Sequence, residues 1–185
     1  MKKILVILGL AIGTFGYSQE KEIPNFKKNE LTINAPFLVA GAFDISYERL
    51  LNEESGVGIS MMVSFDEDIY TKFAITPFYR YYFGKKPASG FFVEGFGMLN
   101  QYDDTEDSYS YGYYDYYGNY YTDSYVGSKT TDFAIGFGLG SKWVTKKGFI
   151  FAINAGIGRN LFNENNEYND NEIVGRGGIL LGYRF

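Results

Sequence analysis

A strict two-residue alternation at the end of the sequence constrains the fold more than any other feature. One row of this segment is apolar or glycine, and it comprises Ile173, Gly175, Gly177, Ile179, Leu181, Tyr183 and Phe185. The opposite row carries two arginines, Arg176 and Arg184. Because successive side chains of a β-strand point to opposite faces, the segment predicts a strand with one apolar face and one partly charged face.

Seven earlier segments repeat this alternation and are separated by turn residues. They are Glu30–Val39, Phe43–Leu51, Gly56–Phe65, Lys72–Phe83, Gly90–Tyr102, Thr131–Val144 and Phe149–Leu161. Eight strands with two unlike faces predict an all-β chain that closes into an antiparallel up-and-down transmembrane β-barrel. One row of each strand then faces lipid and the other faces the interior, where glycines leave room for large neighbours.

Two prolines conflict with a fully regular barrel. Pro36 and Pro77 fall inside predicted strands. A closed barrel has no free edge on which a missing backbone N–H is harmless. We therefore expect bulges or lost ladder hydrogen bonds at both positions.

The beginning of the sequence has the features of a secretory signal peptide. Lys2 and Lys3 precede an apolar run, Ile4–Phe15, and small residues follow it at the spacing of a cleavage site after Ser18. The run is shorter than the ~20 residues that a membrane-spanning helix needs. We predict a signal peptide at residues 1–18, a periplasmic segment at 19–29 and a single barrel domain at 30–185.

The composition favours strands and excludes several kinds of chemistry. The chain has 18 Tyr, 17 Phe and 23 Gly but only 4 Pro, and a net charge of −5, which argues against nucleic-acid binding. With no Cys it forms no disulfides, and with no His it lacks Ser–His catalysis and His metal ligands. We predict a protein that is not an enzyme and has no catalytic residues, cofactor or metal.

The connections between the predicted strands alternate in length. Residues 52–55, 84–89 and 145–148 form short turns, whereas 66–71, 103–130 and 163–172 include the long loops, and the connection at 40–42 is an exception. Outer-membrane barrels have short periplasmic turns and longer extracellular loops. The pattern predicts that both ends of the barrel chain lie on the periplasmic side.

The signal peptide, the alternating strands and the closing sequence Gly182-Tyr183-Arg184-Phe185 together resemble the small eight-stranded outer-membrane barrels of the OmpA/OmpX type. Residues 77–95 are also similar to bacterial barrel domains of unknown function. The resemblance implies an outer-membrane location, contact with lipid and lipopolysaccharide, and insertion by the barrel-assembly machinery. In that family the last strand is the assembly signal, which here corresponds to Leu181, Tyr183 and Phe185. No peptidoglycan-binding domain is expected after the barrel, so a wall-anchoring role is not transferred.

Alternation places a nearly balanced set of charges on the inner rows. The set comprises Asp44, Glu48, Arg80, Glu94, Lys142, Arg176 and Arg184. An eight-stranded barrel has an interior only wide enough for its own side chains. This favours a plug of ion pairs over a lumen that conducts small solutes, and Arg80 with Glu94 is the first expected pair because a short turn joins their strands.

The long loop after the fifth strand is rich in tyrosine. Tyrosines alternate with Ser, Gly, Asn and Asp at Tyr109, Tyr111, Tyr113, Tyr114, Tyr116, Tyr117, Tyr120 and Tyr121. This mixture is typical of binding loops, but it is equally compatible with a twisted hairpin that extends beyond the membrane. Acidic residues at 103–107 and 164–172 lack the spacing of a calcium loop and are predicted to be solvated.

These features support three functional hypotheses. The first is a monomeric, non-enzymatic outer-membrane barrel that serves envelope integrity or adhesion, with a host or cell-surface ligand bound by the tyrosine loop. The second is a narrow channel for small solutes. The third is a soluble periplasmic barrel with a ligand inside, which requires apolar residues in the lumen instead of the charges named above.

Overall fold

The computed structural model describes residues 26–66, 69–103, 109–125, 129–162 and 172–185. Its elements are β1 (Asn29–Asn34), α1 (Ala35–Val39), β2 (Ala42–Leu50), β3 (Ser55–Ser64), β4 (Thr71–Tyr82), β5 (Gly90–Asp103), β6 (Tyr109–Tyr114), β7 (Tyr120–Tyr125), β8 (Lys129–Val144), β9 (Phe149–Asn160) and β10 (Ile173–Arg184). The predicted signal peptide and residues 19–25 lie outside the described residues.

Eight strands close into an antiparallel barrel in the order β1-β10-β9-β8-β5-β4-β3-β2. The ring is closed where β1 pairs with β10, with Glu30 opposite Arg184 and Asn34 opposite Leu180. Strands β6 and β7 form a separate two-stranded sheet. The predicted all-β fold class is therefore confirmed. Within the described residues, no helix is long and apolar enough to cross a membrane.

The first predicted strand is half wrong. Strand β1 ends at Asn34, and the remaining residues form the short helix α1 with Pro36 in its first turn. Proline is tolerated there because its φ suits a helix and the first helical N–H groups have no partner within the helix. Pro36 thus removes no hydrogen bond from the barrel, and the bulge expected at this position is not found.

Pro77 lies inside β4, as predicted, and interrupts one of its two ladders. Pairing with β3 continues through Ile59 opposite Pro77. Pairing with β5 stops at Ile75 opposite Leu99 and resumes at Phe78 opposite Phe96, without a change of register. The expected loss of ladder bonds is therefore seen at Pro77, whereas the register shift of β4 lies between Thr71 and Phe73.

The barrel has two unlike ends. The turn end holds the connections 51–54, 83–89 and 145–148, together with the start of β1 and the end of β10. Asn29 and Phe185 exchange two backbone hydrogen bonds there, of 3.1 and 2.8 Å. The loop end holds α1 and the connections that follow β3, β5 and β9.

Inward glycines make the narrow interior possible. A Cβ atom added to Gly136 would lie 2.5 Å from the Ile157 carbonyl oxygen and 2.6 Å from Gly158 Cα. These are backbone atoms, which cannot turn aside as the end of a side chain can. Outward Gly95 is different, because an added Cβ would meet nothing within 4 Å.

We expect Gly136→Ala to lower the free energy of unfolding by about 1–3 kcal/mol, the usual cost of overpacking. Gly95→Ala, the matched control, is expected to cost nothing. Urea unfolding of the refolded barrel in detergent micelles measures both. Equal stability of the two variants would show that the interior is loose at Gly136.

Candidate functional site: the barrel interior and the tyrosine hairpin

Seven charged side chains form one continuous chain of ion pairs inside the barrel. Acid and base alternate in the order Arg184, Glu30, Lys142, Glu48, Arg80, Glu94 and Arg176. We call this set the ion chain. It contains four cations and three carboxylates, so each carboxylate lies between two cations.

The centre of the ion chain lies towards the turn end. Lys142 Nζ is 2.6 Å from Glu30 Oε2 and 3.3 Å from Glu48 Oε2. Glu48 also accepts hydrogen bonds from Arg80 Nη1 at 2.9 Å and from the Tyr82 hydroxyl at 2.6 Å. Tyr82 in turn hydrogen bonds with Lys142. Buried charges need this dense pairing, since an unpaired ion in a dry interior is very costly.

Arg80 contacts two aromatic rings as well as two carboxylates. Its guanidinium carbon lies 4.3 Å from the ring centre of Phe78 and 4.8 Å from that of Phe92. Its Nε donates to Glu94 Oε2 at 2.6 Å. The pair predicted between Arg80 and Glu94 is thus observed, with the two residues directly opposite each other in β4 and β5. Stacking between two aromatic faces adds attraction to the cation and fixes the plane of the guanidinium.

Two members of this arrangement were missed by sequence reasoning, and one predicted member lies outside it. Glu30 and Tyr82 were missed, although Glu30 alternates with outward Leu31 and Ile33 and was in principle detectable. Asp44 is absent from the ion chain. Its Oδ2 accepts a hydrogen bond from Asn34 Nδ2 at 2.9 Å, and it lies closer to the loop end because it is near the start of β2, four residues before Glu48.

The ion chain links most of the barrel wall. Glu30 is on β1, Glu48 on β2, Arg80 on β4, Glu94 on β5 and Lys142 on β8, and both arginines Arg176 and Arg184 are on β10. Arg176 Nη1 also donates to Ser60 on β3 at 2.6 Å. Seven of the eight barrel strands are therefore tied together across the lumen. Such an arrangement couples these strands through side-chain contacts in addition to the backbone ladders.

A partly open cavity of about 270 Å³ lies between the ion chain and the loop end. Phe37 of α1 and the stacked pair Tyr70 and Tyr102, with ring centres 5.2 Å apart, contribute to its wall. Asp44 and Arg176 line it as well. This cavity could not be predicted from the sequence, because alternation does not tell how far along the barrel axis each inward side chain reaches.

The tyrosine-rich segment forms a hairpin of its own, as one of the two predictions requires, and this form is compatible with the other prediction, a binding loop. Tyr113 lies opposite Tyr121 and Tyr114 opposite Tyr120, with ring centres 5.7 and 5.0 Å apart. Since neighbours in a strand point to opposite faces, each face of the hairpin carries one of these tyrosine pairs. The six described tyrosine side chains, at 113, 114, 116, 117, 120 and 121, are exposed. The side chains of Tyr109 and Tyr111 lie outside the described part of the structure.

Asp115 shapes the tip of the hairpin. Its Oδ1 accepts backbone hydrogen bonds from Tyr117 and Asn119, both of 2.9 Å, and its Oδ2 accepts from Asn119 Nδ2 at 3.0 Å. The bonds from Asn119 hold the pKa of Asp115 below its usual range. The Asp115 carboxylate therefore stays charged until the pH falls to that lowered pKa. Down to that pH the turn keeps the stability that the charged carboxylate contributes.

The predicted assembly residues lie on the outer surface at the turn end. Leu181, Tyr183 and Phe185 are exposed in one row of β10, and the Tyr183 ring contacts Phe149 edge-on with 5.6 Å between ring centres. Neighbouring outward rings also touch, among them Trp143 with Phe151 and Phe83 with Phe91. Together these residues form an aromatic belt around the turn end.

No group of three or more Asp, Glu, His or Cys side chains that could hold a metal occurs in the described ranges. Most of the two acidic clusters noted in the sequence lies outside them. Glu172 is described, and it forms an exposed ion pair of 3.3 Å with Arg159.

Comparison with known proteins supports the architecture. No protein-family model matches the chain, and no curated protein matches it. Among solved structures, the chain is similar to the N-terminal β-barrel domain of Pseudomonas aeruginosa OprF, with a TM-score of 0.59 over 86% of this chain and 98% of that one. Sequence identity is 13%, so the likeness shows the fold alone. The shared fold is a closed, eight-stranded antiparallel β-barrel.

Proposed function

We propose that this chain is a monomeric, non-enzymatic outer-membrane β-barrel whose interior is an ion-paired plug and whose tyrosine hairpin makes contacts at the cell surface. The inverted distribution of polarity carries the membrane part of the proposal. Glu48, Arg80 and Lys142 are at most 3% exposed, whereas many outward Leu, Ile, Val and Phe side chains are about half exposed. A large apolar surface of this kind is unfavourable in water and suits hydrocarbon.

Charged and aromatic residues at the two ends of the apolar surface support the same proposal. Two outward arginines, Arg49 and Arg159, lie close to the turn end and the loop end, where they can reach lipid headgroups. The aromatic belt lies at the turn end, as interfacial girdles do in such barrels. Lipid and lipopolysaccharide are then the expected surroundings, and the row that ends in Phe185 is the expected signal for the barrel-assembly machinery.

The surface role rests on the hairpin. Tyrosine offers a large amphipathic contact with few rotatable bonds, so little entropy is lost when it binds. The hairpin presents such side chains on both faces, and a rigid barrel below holds it. Adhesion to a host or cell-surface ligand is the role that this arrangement supports, with envelope integrity as the contribution of the plugged barrel itself.

The two alternatives are less well supported. A channel needs a continuous water path, but the ion chain and its partner Ser60 place side chains from seven strands in the lumen. A soluble barrel with an apolar ligand needs an apolar interior and a polar exterior, which is the reverse of the described arrangement. We therefore retain the plugged membrane barrel.

Chymotrypsin treatment of intact cells is expected to cut the hairpin and to reduce attachment of the cells to a host or neighbouring cell surface. Tyr116 and Tyr117 are 98% and 86% exposed, and chymotrypsin cleaves after tyrosine. Trypsin is the matched control, because residues 104–128 contain no Lys or Arg. Lys146 and Lys147, at the turn end, are expected to be protected on the periplasmic side.

A variant tests the contact without proteolysis. Tyr116→Ser combined with Tyr117→Ser is expected to weaken attachment roughly tenfold, as the loss of about 1–2 kcal/mol of aromatic contact would do. Migration of unboiled protein on a gel checks that the barrel is folded. Full attachment by this variant would remove the hairpin's proposed role, and tryptic cuts at Lys146 or Lys147 in intact cells would reverse the orientation.

A further inference from the structure

The cavity near the loop end is lined by two oppositely charged side chains that form no ion pair with each other. Asp44 and Arg176 both line it. Between these two described side chains there is no ion pair, because the carboxylate partner of Arg176 is Glu94, at 2.8 Å from its Nε. Among the described residues, the carboxylate of Asp44 has no cation within ion-pair distance, and Asp44 lines both this cavity and a second gap of about 10 Å³. The hydrogen bond described for this carboxylate comes from the neutral amide of Asn34.

Each of these side chains has an unused polar atom. Among the described residues, Asp44 Oδ1 is buried and has no hydrogen-bond partner, so a ligand in the cavity reaches it only when the carboxylate rotates about its Cβ–Cγ bond. Arg176 uses Nε for Glu94 and Nη1 for Ser60, which leaves Nη2 without a partner among the described residues. A half-buried ion that has an unpaired donor or acceptor atom costs free energy unless water or a ligand forms the missing hydrogen bond. One missing partner is a hydrogen-bond donor, best a cation, and the other is an acceptor, best an anion.

The rest of the cavity wall is largely apolar. Met62, Met98 and Val174 line it together with Phe37 and the stacked Tyr70 and Tyr102 rings. Its volume of about 270 Å³ is near the lower end of the ~300–1,000 Å³ typical of small-molecule sites. That size suits one compact molecule with an apolar part rather than a lipid or an oligosaccharide.

We propose that this cavity binds a small zwitterion with an apolar side group, of the size of a single hydrophobic amino acid. Its ammonium group lies against the carboxylate of Asp44, and its carboxylate accepts a hydrogen bond from Arg176. Its apolar part packs against the methionines and aromatic rings. One molecule thus supplies both missing partners, and each charge of the ligand meets its opposite in the wall.

Three probes that share a phenyl ring test the proposal by isothermal titration of the purified full barrel in a non-ionic detergent. Phenylalanine carries both charges, 3-phenylpropanoate only the carboxylate, and phenethylamine only the ammonium group. Phenylalanine is expected to bind about tenfold more tightly than either relative, the usual effect of one charge-assisted hydrogen bond. This comparison uses the unaltered protein, so it does not depend on the folding of a variant.

Two variants assign the charges to their residues. Asp44→Asn is expected to weaken phenylalanine and phenethylamine about tenfold and to leave 3-phenylpropanoate unchanged. Arg176→Lys retains the charge opposite Glu94 but removes Nη2, and it is expected to weaken the two carboxylate probes. Asp132→Asn is the matched control, because Asp132 is buried and has an unpartnered Oδ2 but does not line the cavity. It is expected to change nothing.

Three results would overturn the proposal. The first is no saturable binding of phenylalanine at concentrations up to about 10 mM, a range that detects even very weak binding. The second is equal affinity for the three probes, which would mean that the ring alone is recognised. The third is unchanged phenylalanine binding by folded Asp44→Asn.

Discussion

Glu48→Gln is expected to lower the free energy of unfolding by about 3–5 kcal/mol, the cost of removing one partner from a buried charge pair. Glu48 accepts from Arg80 and Tyr82 and lies 3.3 Å from Lys142 Nζ. The amide of Gln carries no charge, and its NH₂ group would face donors where an acceptor is needed. Two buried cations would each lose a carboxylate. Urea unfolding of the barrel in lipid vesicles measures the loss.

The matched control for this substitution is Glu172→Gln. Glu172 pairs with Arg159 at 3.3 Å, but both side chains are exposed, and exposed ion pairs contribute about 0–1 kcal/mol. The same chemical change should therefore have almost no effect there. If Glu48→Gln were as harmless as the control, the ion chain would not contribute to the stability of the barrel. A second check is Glu48→Gln combined with Lys142→Met, which should cost less than the sum of the two single changes because the residues are coupled.

Leu139→Arg is expected to cost about 2–4 kcal/mol if the outward face of β8 lies in a bilayer, as charged substitutions do at the midplane of such barrels. Leu139 is 53% exposed and lies opposite two other apolar residues, Val93 and Ala155. In water the same substitution at a half-exposed position would cost less than about 0.5 kcal/mol. The loss of stability caused by Leu139→Arg therefore tests whether the outward face of β8 lies in a bilayer.

Leu38→Arg is a control of the same residue type and nearly the same exposure. Leu38 is 54% exposed but lies on α1 at the loop end, beyond the barrel strands. We expect no measurable loss of stability there when both variants are unfolded by urea in lipid vesicles. Equal, small effects at the two positions would contradict the membrane assignment, whereas a large effect at Leu139 alone would support it.

The strands and their two faces could be predicted from the sequence because the side-chain period of a strand is two, and a residue's face follows from its place in the alternation. Arg80 and Glu94 illustrate this, since a short turn and matching phase were enough to pair them. The same reasoning failed at Pro36. The alternation continues by chance through residues 35–39, but these residues form α1, with Pro36 in its first turn. Local propensity overrode the pattern there.

The interior contacts could be predicted only in part, for a different physical reason. The alternation predicts which side chains point inward. It does not predict how far along the barrel axis each side chain reaches or which partner it contacts. The strand tilt of a barrel sets those distances. Asp44 therefore appeared to belong with Glu48, although the two are four residues apart and lie on different levels of the lumen. The cavity between those levels was invisible for the same reason.

The ion chain begins and ends on the same strand, because Arg184 and Arg176 both belong to β10. Before β10 docks, Glu30 and Glu94 each lack one of their two cations, and the backbone of β1 lacks its second neighbour. A chain that stops short of its last strand would thus leave both charges and backbone groups uncompensated in the same region. A single docking step therefore closes the backbone ring and supplies the cations at both ends of the ion chain, so backbone hydrogen bonding and interior charge pairing become complete together.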